Sequence, residues 1–153
     1  MNSLEEIKSL AKQRLEEAIV LHKNSLNDGA FYLAGYSVEL SLKAKICENF
    51  GIPNLFDELN SSVNAIKGIG EIRKMLKTHN LYLLLIVSGL KNNYDEAKSE
   101  NIFLSIASSY LFGTWDENIR YKPYGFVKEN ELKNILTLLY TSNGILSWIE
   151  KKH

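Results

Sequence analysis

The sequence is poor in the features that usually give a function away. It holds one cysteine, Cys47, so it has no intrachain disulfide and no thiolate pair for a metal, and a reducing, cytoplasmic setting is the expectation. Proline occurs only at Pro53 and Pro123, too rarely for a proline-rich linker. Neither sign of charge dominates: 18 basic side chains balance 18 acidic ones. The chain as a whole therefore lacks the positive field of a general nucleic-acid binder, and any such binding has to be local. The longest apolar run, LYLLLIVSGL from Leu81 to Leu90, is too short to span a bilayer, which needs about 20 residues. The first residues, MNSLEEIKSLAKQRLEEA, mix charge with apolar positions and carry no stretch of signal-peptide type. No phosphate-cradling glycine loop, metal-ligand cluster or Ser/His/Asp set is present, so no metal and no cofactor is implied.

What remains is ordinary globular material. The apolar fraction is 45 % and the charged fraction 24 % over 153 residues, enough for one domain with a real core, spanning 1–153. Apolar residues recur at helical spacing, and no alternation of strand type runs for any useful length. Asn2 or Ser3 caps a first helix whose stripe is Leu4, Ile7, Leu10, Ala11, Leu15, Ala18 and Ile19. A second is expected over Ala30 to Phe50, stopping at Gly51 with Pro53 just beyond. LFDELNSSVNAIKGIG reads as a short helix plus loop. A third helix follows His79 and ends near Gly89, with Thr78 as its cap and His79 in its first turn; a fourth covers Asp95 to Phe112. GTWDENIRYKPYG breaks the pattern. The last helix, Lys128 to Glu150, buries Leu132, Ile135, Leu136, Leu139, Ile145 and Trp148. The fold expected is all-α, an antiparallel bundle of four to five helices.

Helix two, AFYLAGYSVELSLKAKICENF, is apolar on nearly every side. At about 100° per residue, Tyr32, Gly35, Glu39, Ile46 and Phe50 share one face, with Lys43 beside Glu39. A carboxylate thus falls in a stripe that should be buried, and an unpaired buried charge costs several kcal/mol, so Glu39 needs a partner. Lys43 or an arginine from another helix would make it a structural ion pair. Alternatively, Glu39 positions a functional arginine or histidine.

Three segments together, AFYLAGYSVELSLKAKI, KTHNLYLLL and WDENIRYKPYG, resemble landmarks of the HEPN domain family, in the family's order. These are a helix ending in Glu-x-x-x-Lys-Ala, a Thr-His-x-Leu helix start, and an Arg-Tyr-Pro-like segment before the last helix. The resemblance runs from about Leu4 to Trp148. It implies an all-α bundle that commonly forms a homodimer, often accompanies a minimal nucleotidyltransferase, and serves in toxin–antitoxin or phage-defence systems. Some members are metal-independent RNases that use an arginine followed four to six residues later by a histidine. Others have lost that motif and bind nucleotides or act as non-catalytic partners.

Arg120 is the match to the family's arginine, but Gly125, Phe126 and Val127 stand where the histidine would be, and nothing there replaces an imidazole as general acid or base. Arg73 and His79 have acceptable spacing in the wrong part of the chain. On one helix they would stand about 120° and 9 Å apart, unable to share a phosphate, so Arg73 reads as structural, in a loop or a separate short helix. His79 matches the Thr-His-x-Leu landmark and either bonds the backbone or Glu39, or joins Arg120 and Glu39 at a cleft. Trp115, Tyr121, Tyr124 and Phe126 crowd around Arg120 and Lys122; such a group stacks on a base and holds its phosphate, covers the end of the bundle, or forms a dimer contact. His22 reads as a helix-end cap, His153 as a terminal residue and Cys47 as inert core.

Three readings follow. The first is a nucleotide- or RNA-associated partner module with a degenerate RNase motif, its ligand met by Arg120, Tyr121, Lys122, Tyr124 and Lys43, with Glu39 positioning. The second is an active RNase using Arg120 and His79. The third is a non-catalytic scaffold in which Glu39 and Arg120 form a buried structural pair.

Overall fold

The structure, a computed structural model, describes residues 3–141 and 145–151; Asn2 and His153, named above as a possible cap and a terminal residue, lie outside them. Among the described residues every regular element is helical. Helix α1, Leu4–Lys23, starts at Ser3, whose hydroxyl accepts from the Glu6 amide, and carries Glu5 and Glu6 where the positive end of the helix dipole favours them. Its buried face is Ile7, Ala11, Leu15 and Ala18. After a turn with Ser25 in the left-handed region (φ 59°), helix α2 runs Asn27–Phe50 and ends on Gly51 at φ 67°, a conformation that costs glycine nothing. It begins three residues ahead of the Ala30 expected from the apolar pattern, because Asn27, Asp28 and Gly29 are drawn into its first turn.

Helix α2 is the axis of the molecule. Phe31, Ala34, Val38, Leu42 and Ile46 are fully buried on it, and α1 packs along its length. Each large side chain so buried contributes about 1.5–3 kcal/mol through apolar area removed from water. The chain then forms α3, Ser61–Asn64, and α4, Ile69–Leu76; α5, Leu81–Val87; α6, Lys91–Glu100; α7, Ile102–Thr114; a 3-10 turn, Glu117–Tyr121; α8, Glu129–Tyr140; and α9, Ile145–Lys151. Helices α5, α8 and α9 and the 3-10 turn all pack on α2. No helix among the described residues is long and apolar enough to cross a membrane.

The helical segments exceed the four or five expected, for local reasons. Asn101 interrupts the expected fourth helix: its backbone is extended (φ −135°, ψ 105°) and its side chain accepts from the Leu104 amide, so it closes α6 and caps α7. The expected last helix is two, α8 and α9, and Trp148 is only partly buried against the core while Leu138 and Ile149 join the buried set. Asn80, not Thr78, caps α5, its side chain accepting from the Leu83 amide. Thr78 Oγ1 accepts from the Asn80 amide one step earlier. His79 therefore stands before the helix rather than in its first turn, which frees its ring to face α2.

Candidate functional site

Glu39 lies in the middle of α2 and is 2 % exposed. Lys43, one turn on, brings its Nζ to 2.7 Å from Glu39 Oε1. His79 brings Nδ1 to 2.8 Å from Oε2. Both carboxylate oxygens are thus met, and a carboxylate that only accepts requires the proton of this bond to sit on Nδ1. The imidazole plane and tautomer are fixed from behind by a buried group, while the ring is 38 % exposed. Among the described residues nothing bonds Nε2. Lys43 is 12 % exposed and its ammonium also lies over the Phe56 ring, 5.2 Å from the centroid, so it faces inward to Glu39 and not outward to a ligand.

Two tyrosines of α2 extend this group. The Tyr36 ring meets the His79 ring edge-on at 5.6 Å, and the Tyr32 hydroxyl lies 3.3 Å from that of Tyr36. Burial first, then the Tyr32 hydroxyl and the Glu39 charge, hold the Tyr36 phenol well above its ordinary value, so it stays protonated. Arg120, from the 3-10 turn, donates to the Tyr32 hydroxyl over a long 3.4 Å and stacks its guanidinium over Tyr121, 4.9 Å from the centroid. Tyr32 and then Tyr121 raise the Arg120 guanidinium above even its usual value. Arg120 and His79 therefore belong to one cluster, but they are joined through the Tyr32–Tyr36 pair and do not pair with each other. A buried Glu39–Arg120 pair, one of the readings above, is not formed, because Arg120 is exposed and Glu39 is already occupied by Lys43 and His79.

The segment carrying Arg120 is pinned at both ends. At its start Trp115 is 4 % exposed and its indole donates to the Tyr32 carbonyl at 3.0 Å. It lies so close to α2 that a Cβ on Gly35 would fall 2.0 Å from the indole nitrogen; only glycine admits this contact. At its end the Asp28 carboxylate accepts from the amides of Gly125, at 2.7 Å, and Val127, at 3.2 Å. Gly125 sits at φ 85°, Phe126 packs edge-on to Phe31 at 6.2 Å and Val127 is buried. All three positions where a histidine was sought are thus spent on anchoring the loop. The aromatic group divides accordingly: Trp115 and Phe126 cover the bundle, whereas Tyr121 and Tyr124 are 74 % and 87 % exposed. The Lys122 ammonium lies 5.9 Å from the Phe126 centroid and the residue is exposed.

A polar cleft of about 350 Å³ opens beside His79, walled by Phe112 and Trp115 and lined by Thr78, Asn80, Asp116, Glu117 and Asn118. Sequence reasoning missed its acidic members and the two anchors, Asp28 and Gly35. A glycine in mid-helix was the one available signal for the latter.

The remaining candidates are structural. Arg73 is 8 % exposed in α4, donating from Nε to the Leu55 carbonyl at 2.7 Å and from a terminal nitrogen to Asn64 Oδ1 at 2.9 Å. The His22 ring approaches Glu129 at 3.7 Å. Cys47 is fully buried, and burial pushes its thiol up. Comparison with protein-family models, with curated proteins and with solved structures finds no match for this chain.

Proposed function

We infer that the protein is a HEPN-like antiparallel helical bundle that binds nucleotides or RNA as a partner module, without RNase catalysis by the usual arginine–histidine motif. The observation that carries this reading is the pairing of two exposed tyrosines, Tyr121 and Tyr124, with two exposed cations, Arg120 and Lys122, on a loop held at both ends. Large exposed aromatic rings on an anchored segment add little to folding and suit stacking on bases, while neighbouring cations take the phosphate. Lys43 and Glu39 belong to the support of this surface: Lys43 balances Glu39, and Glu39 sets His79. The missing histidine after Arg120 weighs against cleavage. A homodimer, and a partnership with a minimal nucleotidyltransferase in a toxin–antitoxin or phage-defence system, are part of the same reading.

Fluorescence anisotropy with a labelled single-stranded RNA tests it. Wild-type protein is expected to bind, and Arg120→Ala, Tyr121→Ala and Tyr124→Ala each to weaken binding without lowering the melting temperature. Equal affinity in all four proteins would overturn the reading.

A second reading, active RNase, is favoured by one specific feature. The Glu39–His79 geometry fixes an imidazole with one nitrogen unpaired, as a general base requires. Incubation with total RNA decides between them. Cleavage abolished by both His79→Ala and Arg120→Ala would establish the RNase, and no cleavage by wild type supports the binding module.

A further inference from the structure

The cleft beside His79 and the cationic ledge beyond it have opposite character, and the difference points to a division of labour. No lysine or arginine lines the cleft among the described residues, whereas Asp116 and Glu117 do. A phosphate is therefore repelled there. Asp116 Oδ1 accepts from the Asn118 amide and so caps the 3-10 turn. The Glu117 carboxylate, by contrast, has no hydrogen-bond or ion-pair partner among the described residues although it lines the cleft. The Asn80 side chain uses its oxygen on the Leu83 amide, which leaves its NH2 group available. His79 adds an unpaired Nε2, while Trp115, 4 % exposed, and Phe112 lie behind a lining that is mainly polar.

This set matches the edge of a nucleobase better than any other part of a nucleotide. Carboxylates accept from exocyclic amino groups, and the Asn80 NH2 group and His79 Nε2 meet the other polar atoms of a base edge. The volume, about 350 Å³, lies in the range of about 300–1,000 Å³ typical of small-ligand sites. Residues three apart in a 3-10 helix eclipse one another, so Glu117 and Arg120 share one face of the turn Glu117–Tyr121. A carboxylate for the base and a guanidinium for the phosphate thus stand on the same side of one rigid element.

We propose that the cleft is a base-recognition subsite for an amino-bearing nucleobase, with Glu117 as its specificity-determining residue and Arg120 and Lys122 holding the attached phosphate. This rests on the reading of the ledge as a nucleotide- or RNA-binding surface.

Isothermal titration calorimetry with AMP, CMP, GMP and UMP tests it on the intact chain. The expected result is that UMP, which lacks an exocyclic amino group, binds about tenfold more weakly than the tightest of the other three, the worth of one charge-assisted hydrogen bond. Glu117→Gln is expected to remove that preference while leaving the melting temperature unchanged, and Arg120→Ala to weaken all four alike. Equal binding of all four nucleotides, abolished by Arg120→Ala and untouched by Glu117→Gln, overturns the cleft assignment and leaves the ledge standing. Absence of binding by all four nucleotides and by single-stranded RNA overturns both.

Discussion

Two arginines, Arg73 and Arg120, occupy opposite situations. Arg73 is buried, and its guanidinium is bonded to the Leu55 carbonyl and to Asn64, holding the irregular stretch before α4 to the helix. Arg120 is exposed, with one long bond to a tyrosine hydroxyl and a ring beneath it. Arg73 lies six residues before His79 in the sequence and Arg120 belongs to the same side-chain cluster as His79, so both satisfy a loose search for an RNase motif. They differ in burial and in where their bonded donors point. A guanidinium bonded twice inside the protein and 8 % exposed is out of reach of a phosphate. One that is fixed by stacking yet open to solvent keeps its fork available.

The largest effect is expected at the contact that seats the Arg120 segment. Gly35→Ala places a methyl group inside the volume of the Trp115 indole and should cost about 3 kcal/mol or more, since neither the helix backbone nor the buried ring can yield cheaply. Denaturant unfolding measures the loss, and RNA binding should fall with it. Next comes Arg73→Ala, which leaves the Leu55 carbonyl unsatisfied in a buried setting; about 2–3 kcal/mol of stability should be lost, with the RNA affinity of the folded fraction unchanged. Arg120→Ala inverts the pattern: stability should stay within about 0.5 kcal/mol of wild type, and binding should carry the whole effect.

The smallest effect belongs to the exposed neighbourhood of Arg73. The Lys77 ammonium, by hydrogen bond and then by charge, holds the Glu58 carboxyl below its ordinary value, with a weaker contribution from Arg73. A carboxyl lowered in the folded state stabilises above its unfolded value of about 4.3 and loses that contribution as pH falls through the lower folded one. Lys77→Ala should therefore lower stability slightly near pH 7 and converge with wild type at the acid end, giving a shallower acid limb, as thermal melts between pH 3 and pH 7 would record.

Much of this comparison was visible in the sequence, and the parts that were not have identifiable causes. Arg73 reads as structural because six residues of helix separate it from His79 too far for one phosphate. Glu39 reads as a buried charge in need of a partner because helical periodicity alone puts it in an apolar stripe, and Lys43 is already one turn away. The all-helical class follows from the same periodicity. The cap of α5 was misplaced because Thr78 and Asn80 are both good caps, and the choice depends on where α2 draws the His79 ring. The break at Asn101 separates polar DEAKSE from apolar IFLSIASSYLF, and both stretches suit a helix, so the asparagine alone did not mark a boundary. The clamp from Asp28 to Gly125 and Val127 joins residues nearly a hundred positions apart, and no periodic signal marks such a contact. The acidic lining of the cleft is hidden likewise, because Asp116 and Glu117 look like ordinary loop residues until the 3-10 turn places them beside His79.

The difference between the two arginines is tested most directly by one titration: labelled single-stranded RNA against wild type, Arg73→Ala and Arg120→Ala, each checked for folding by circular dichroism. The expected result is wild-type affinity for folded Arg73→Ala and at least about tenfold weaker binding for Arg120→Ala. Unchanged affinity for Arg120→Ala, or a matching loss in both variants, would contradict the assignment of Arg120 as the ligand-facing arginine.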